Sequence, residues 1–336
     1  MSKIIDKYFF YPNFKTKRYD NMLSNEQTVF FLRKNPALSV SILEKEAGLP
    51  TSTLAKALNG DRVLNTKHLA ALYPILIKYG YNEVQHNKAK VISIVNHKGG
   101  VGKTTTTINL GKALSKLGFK VLLVDMDSQG NLSQSLGIDN PERQVVNALL
   151  KNEDLPVFQI AENYDLSPSD LELAFADLEL VQAVGGVNQL KNKLNPLRDK
   201  YDYILIDCPP ALNIFTNSAL VASNSCLVTL QPEVSAMKGV NNLFERISQV
   251  RERINPELVV EGVVLTMVDK RLKVHRDMID YVYQTLGNFK IYKTEIRSNV
   301  SVKESQISQI TIFDYDQNSN GAIDYMNLAK EFSSNA

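Results

Sequence analysis

The sequence predicts an α/β fold, a mainly parallel sheet with helices on both faces, preceded by a small all-α domain. Three observations predict it. Five short runs after residue 90 are almost continuously apolar, as strands buried on both faces are. Helical stretches alternate with these runs, the pattern of crossover connections. Ahead of them, between about 25 and 82, apolar residues recur at helical rather than strand spacing. The chain has 336 residues, enough for two domains. Its 44% hydrophobic and 22% charged residues form an ordinary globular mix that excludes extensive disorder.

Residues 1–24 are aromatic and basic, with Lys15, Lys17 and Arg18 close together and no clear period; an arm or a short helix is expected. Residues 25–82 read as a helical domain. Apolar residues run through Val29, Phe30 and Leu32, then Val40, Ile42 and Leu43, then Leu54, Ala57 and Leu58, then Leu69, Leu72, Ile75 and Leu76. Breaks fall at Asn35-Pro36, Gly48-Leu49-Pro50, Asn59-Gly60 and Tyr79-Gly80. Val40–Ala47 reads as a helix, Gly48-Leu49-Pro50 as a tight turn and Thr51–Leu58 as a second helix. This is a helix-turn-helix layout, and it puts Thr51, Ser52, Thr53 and Lys56 at the groove-facing start of the second helix. Helix pairs around a glycine turn also occur in bundles that bind nothing. Charge favours DNA: residues 1–88 hold 13 Lys and Arg against 7 Asp and Glu, while the remainder holds 25 against 29. Glu44 and Glu46 oppose phosphate contact on the first helix.

Residues 83–89 are a short polar linker, and the sheet domain is expected over 90–336. Its predicted strands are VISIV (91–95), VLLVD (121–125), YILID (203–207), CLVTL (226–230) and VVLTM (263–267). Cys208 and Cys226 lie within apolar runs without metal-ligand spacing, so they read as small buried hydrophobes rather than a disulfide framework. The first residues lack the apolar core of a secretory signal, and no apolar run approaches the roughly 18 residues of a membrane span. A cytoplasmic protein is expected.

The chemistry concentrates in Lys98-Gly99-Gly100-Val101-Gly102-Lys103-Thr104-Thr105, which follows the first strand and opens a helix reaching about Leu117. Glycines let the chain curl so that successive N–H groups point at phosphate oxygens, and the helix N-terminus adds partial positive charge. This is a P-loop, and it implies a P-loop NTPase with ATP and Mg2+ as cofactors. All eight residues are expected at the nucleotide, with Lys103 on the β/γ-phosphates and the Thr104 hydroxyl on Mg2+. Asp125, Asp127 and Asp207 end neighbouring strands and aim at one crevice. Asp207 is expected to fix Mg2+ through water, Asp127 to position the attacking water, and Asp125 to support the metal site. Strand-end aspartates also cap helices.

The loop carries a second lysine, Lys98, five positions before Lys103. With VLLVDMDSQGNLS (121–133), YILIDCPPAL (203–212), LQPEVSAMKGV (230–240), VVLTMVDKR (263–271), IRSNVSVKES (296–305) and GAIDYMNLAKEF (321–332), it resembles the deviant Walker-A ATPases of the ParA/MinD group. Within that group it is similar to the ParA branch of plasmid and chromosome partition ATPases, over residues 90–333. The resemblance implies hydrolysis of ATP to ADP and phosphate, with Lys98, Lys103 and Asp127 as the catalytic set. It implies an ATP-bound homodimer in which Lys98 crosses to the partner's ATP. That dimer would bind nucleoid DNA without sequence preference and release it after hydrolysis stimulated by a ParB-like centromere-binding protein. The front domain resembles those placed ahead of some ParA ATPases, which implies an operator-binding role and repression of its own operon.

By the same analogy Lys270, Arg271, Lys273, Arg276, Arg297 and Lys303 lie near the DNA-facing surface, although a solvated helix face explains these charges equally. One departure stands out: Ile296-Arg297-Ser298-Asn299 occupies the place of the family's usual Ile-Pro-Arg-Asn. Arg297 therefore faces either nucleotide or DNA. Alternatives are a transcriptional regulator for which ATP is only an allosteric ligand, and a MinD-like positioning ATPase. The latter would end in a basic amphipathic helix, whereas this chain ends NLAKEFSSNA. A nitrogenase-type iron protein would need cluster cysteines at positions unlike 208 and 226.

Overall fold

The structure, a computed structural model, describes residues 23, 25–35, 37–81, 89–151 and 153–333. The chain divides into two compact units, Met1–Asn82 and Glu83–Ala336. The expected arm lies outside the described residues except for Leu23, and the expected linker except for Ala89.

The first unit contains α1 (Asn25–Lys34), α2 (Val40–Glu46), α3 (Thr53–Leu58) and α4 (Thr66–Lys78). The apolar positions that set the helical period converge: Leu43, Leu54, Leu72 and Leu76 are buried together with Phe31, whose ring meets Tyr81 edge-on. Asn65 caps α4 by accepting a hydrogen bond from the His68 amide. The second helix of the pair begins later than expected. Ser52 sits in the left-handed region at φ 65°, and the buried Glu44 carboxylate accepts from the amides of Ser52 and Leu54. Thr51 and Ser52 thus belong to the turn. Thr53 is fully buried and faces the bundle interior, which corrects its expected place on the groove-facing surface; Thr51, Ser52 and Lys56 are exposed.

The second unit is a seven-stranded sheet in the order β3-β4-β2-β5-β1-β6-β7. The strands are β1 (Lys90–Val95), β2 (Val121–Asp125), β3 (Phe158–Ala161), β4 (Tyr164–Ser167), β5 (Tyr203–Asp207), β6 (Ser225–Leu230) and β7 (Val259–Leu265). Every neighbouring pair is parallel except β3 and β4. Helix α5 (Lys103–Lys116) joins β1 to β2, and between β2 and β5 lie α6 (Asn131–Gln134), α7 (Val145–Lys151), α8 (Ala176–Gln182) and α9 (Gln189–Leu194). Then follow α10 (Ile214–Ala222), α11 (Val234–Arg253), α12 (Lys273–Leu286), α13 (Val300–Ile307), α14 (Ile312–Tyr315) and α15 (Asn320–Ser333).

The central strands are wholly buried because helices cover both faces. Leu122, Val124, Ile204 and Ile206 share one core with residues of α7 to α11. On the opposite face α5 presses so close that a Cβ at Gly111 would fall 2.7 Å from Leu123 Cδ2. The residue there must be glycine or the helix must lift. The hairpin β3–β4 gave no strong sequence signal, since its strands have four residues each. The last strand stops at Leu265, two residues short of expectation. Thr266 turns its hydroxyl to the Val101 carbonyl at 2.8 Å, and Met267 is left-handed at φ 53°. Residues 290–298 then run alongside β7, joined through Val263, Leu265 and Val268, and this carries Arg297 to the crevice.

Candidate functional site

The site lies at the carboxyl ends of β1, β2 and β5, where the topology gathers what the sequence scatters. Between β1 and α5 the chain curls through two left-handed glycines, Gly100 (φ 74°) and Gly102 (φ 81°), a conformation that disfavours any side chain. Gly102 caps α5, so the helix N-terminus points into a cavity of about 820 Å³. Gly99, Gly100, Lys103, Thr104 and Asp127 line it on one side, and Gln231, Met267, Arg297 and Asn299 on the other. That volume lies within the roughly 300–1,000 Å³ of small-molecule sites.

Lys103 is buried, and its ammonium donates to the Lys98 carbonyl at 3.1 Å. Burial lowers its pKa, while Asp207 opposes the shift. The Thr104 hydroxyl donates to Asp207 Oδ2 at 2.6 Å, and Thr107 donates to Oδ1 at 3.4 Å. Asp207 lies opposite Asp125 across the β2–β5 pair. Burial first, and then the Asp125 charge, push its carboxyl up to about 8. A buried carboxylate held near a helix N-terminus, beside a threonine hydroxyl, is a donor set that a divalent cation stabilises. The residues present therefore fit MgATP.

Asp125 has a different place from the one expected. Burial pushes it up to about 7, and its oxygens accept from the Asp127 amide, the Ser133 amide and the Ser133 hydroxyl. It does not line the cavity. Its geometry is that of a brace for the loop after β2, because its acceptor sites are already taken by protein donors. Asp127 does line the cavity, with Oδ1 accepting from the Gln129 amide at 3.0 Å. Ser169 holds the Asp127 carbonyl from the other side at 2.8 Å.

Of the eight loop residues expected at the nucleotide, Lys98 and Val101 do not line the cavity; the Lys98 ammonium meets Glu233 Oε2 at 2.7 Å, and its amide donates to Asn96. Ser133, Glu233 and Asn96 were not singled out from the sequence. Ser133 and Glu233 lie inside motif segments quoted above, but only the fold reveals which carboxylate or lysine each one meets.

The basic segment after β7 is largely paired off. Lys270 bonds Glu295 at 2.7 Å, and Arg271 bonds Asp269 at 2.7 Å. Arg276 donates to the Lys270 and Arg271 carbonyls. Buried His275 accepts from the Asp269 amide and shapes this loop. Lys273 and Lys303 are exposed, with no acidic partner within 4.0 Å among the described residues. Arg297 lines the cavity, and its guanidinium grips Asp324 in a two-pronged pair as close as 2.6 Å. Cys208 and Cys226 are buried free thiols.

Fold and pocket together define a P-loop NTPase. A family model described as an AAA domain matches residues 89–260. The sporulation initiation inhibitor protein Soj of Bacillus subtilis is 40% identical over 251 residues, which are 73% of this chain and 99% of Soj. The chromosome partitioning protein ParA of Caulobacter vibrioides is 38% identical over 252 residues, 73% of this chain and 94% of that protein. Among solved structures, cobyrinic acid a,c-diamide synthase of Mycobacterium smegmatis, with bound ATP analogue and magnesium, aligns at TM-score 0.64 and 32% identity over 72% of this chain and 93% of that one. The chain belongs to the ParA/Soj-type family of partition ATPases. It is an ATPase with ATP and Mg2+ as cofactors. Among the described residues no helix is long and apolar enough to cross a membrane.

Proposed function

We propose that the chain is an MgATP-switched DNA-binding ATPase of plasmid or chromosome partition, working as a homodimer with a ParB-like centromere-binding partner. The observation that carries this reading is the assembly of Thr104, Asp207 and Lys103 at the N-terminus of α5, with Asp127 on the same cavity wall and Lys98 just outside the cavity. Bound MgATP supplies a transferable phosphoryl group whose charge the cation partly neutralises. Gly99 to Thr105 offer main-chain amides to the phosphates, and Lys103 adds a desolvated cation. Thr104 and Asp207 hold Mg2+; Asp125 fixes the loop on which Asp127 sits. Asp127 orients the attacking water. Lys98, at the open edge, gives a second subunit a cation to share in trans, a device that can contribute about 10³–10⁵ in rate.

In this reading the exposed cations Lys270, Arg271, Lys273, Arg276, Arg297 and Lys303 meet phosphates of nucleoid DNA, and the N-terminal unit reads an operator through Thr51, Ser52 and Lys56.

Asp127→Ala tests the assignment. Phosphate release should fall at least 100-fold, while MgATP binding by calorimetry and ATP-dependent gel shift of random-sequence DNA persist. Wild-type turnover by the variant would remove Asp127 from its role, and loss of the gel shift in all nucleotide states would remove DNA as the partner.

A further inference from the structure

Residues 152–190 contain eight Asp or Glu and no Lys or Arg. Within them a short 3-10 turn, Leu171–Phe175, runs directly into α8. The resulting helical segment is apolar on two opposite sides. Its inner side, Leu173, Ala176 and Leu180, is buried in the main core. Its outer side is not: Leu171 is 65% exposed, Phe175 81% and Leu178 67%. Phe175 and Leu178, three residues apart where the 3-10 turn passes into α8, form one exposed apolar patch, with Leu171 on the turn before it. Glu172, Asp177 and Glu179 flank it. An apolar helix face left in water is costly, and a contiguous one marks an interaction surface.

We propose that this outer face docks a basic amphipathic helix of a partner protein. The charge decides among occupants. An anionic lipid surface would be repelled by the flanking carboxylates. A two-fold contact of this patch with itself in a second copy would set the same carboxylates against one another. A helix with an apolar stripe edged by Lys or Arg satisfies both parts of the surface at once.

The surface is also connected to the catalytic loop. The residue just before the segment, Asp170, donates its amide to Gln144, which in turn bonds Glu172. Ser169 donates its hydroxyl to the Asp127 carbonyl and its amide to Ser133 Oγ, the latter at 3.0 Å. Gly130 packs so tightly here that a Cβ would lie 2.8 Å from the Ser169 carbonyl oxygen. A helix seated on Phe175 and Leu178 therefore presses on the loop that carries Asp127. The proposal deepens the partner part of the proposed function and rests on that reading for its effect on hydrolysis.

The test uses the full chain and a fluorescent 14-residue Leu/Lys amphipathic peptide, (LKKLLKL)₂, with a Leu/Glu version as reference. By anisotropy the Lys peptide should bind at least tenfold more tightly than the Glu peptide. Phe175→Ser with Leu178→Ser should weaken it tenfold or more, and so should Asp177→Lys with Glu179→Lys. Basal hydrolysis should be unchanged in both variants, and the Lys peptide should alter hydrolysis in the wild type alone. Equal binding by wild type and variants would overturn the site. So would sedimentation showing a wild-type dimer that the serine pair abolishes, since the occupant would then be a second copy. Site-dependent binding without any effect on hydrolysis would overturn the link to Asp127. If no protein hydrolysed ATP while the peptide still bound as described, the docking surface would stand and the ATPase reading would fail.

Discussion

The wall of the nucleotide cavity made by β1, β2 and β5 and the basic wall beyond β7, which lies outside that cavity, are built on opposite principles. On the wall made by β1, β2 and β5, polar groups are buried and bonded to one another: Thr104 to Asp207, Ser133 to Asp125, Lys103 to a loop carbonyl. On the wall beyond β7, charges are exposed and mostly paired, Arg271 with Asp269 two residues away and Lys270 with the sequence-distant Glu295. A buried polar group has a large unfavourable energy if its partner is lost. An exposed ion pair contributes little, about 0–1 kcal/mol. The first wall should therefore respond sharply to single substitutions and the second only in its dependence on salt and DNA.

The largest difference should come from Lys103→Ala. Removing one buried cation from the developing charge lowers turnover by about 10²–10³ or more, read as steady-state phosphate release. Retention of a tenth of the activity would show that the first wall is less dependent on single groups than its burial implies. Gly130→Ala should come next. Its φ of 62° and the 2.8 Å approach of the Ser169 carbonyl leave no relaxed place for a methyl group. A left-handed non-glycine residue costs roughly 1–2 kcal/mol before the clash is added, so the melting temperature should fall by several degrees. An unchanged melting temperature would mean that this loop moves freely.

The same contrast explains what could be read from the sequence. The P-loop, the strand-end aspartates and the parallel sheet were legible because main-chain geometry forces residue types there: glycine where φ is positive, threonine and lysine at fixed offsets into a helix. The fold follows from runs such as YILID, which only a doubly covered strand tolerates. Thr53 was misplaced because nothing local says that Glu44, nine positions earlier, will cap the turn and rotate the helix start. The job of Asp125 was hidden for a similar reason, since its hydrogen bonds come from Ser133 across a loop. Arg297 was visible as a departure from the family pattern, but its acceptor, Asp324, lies 27 residues further on. The paired character of the basic surface depends on such distant carboxylates, which periodicity does not report.

Asp324→Ala should have the next effect. Asp324 is nearly buried and accepts from both the amide and the guanidinium of Arg297. Its loss takes the acceptor from the Arg297 amide while the half-exposed guanidinium turns to water, at a cost of roughly 1 kcal/mol, measured by denaturant unfolding. Asp324→Asn should recover part of this, because one amide oxygen still accepts. Equal stability of the two variants would place the energy elsewhere than in the hydrogen bonds.

The smallest expected change is for Lys273→Ala. Lys273 starts α12, is exposed, and has no acidic partner within 4.0 Å among the described residues, so its removal should alter stability by no more than about 0.5 kcal/mol. Its effect should lie in DNA binding alone. Each lysine that neutralises a phosphate releases condensed counterion, so the logarithmic slope of affinity against salt should fall by about 1 for this variant. The discriminating comparison is Lys270→Ala, whose ammonium is held by Glu295. If that pair persists on DNA, its removal leaves the slope unchanged; if Lys270 leaves Glu295 for a phosphate, the slope falls as it does for Lys273. Identical slopes for wild type and both variants would take the second wall out of DNA binding altogether.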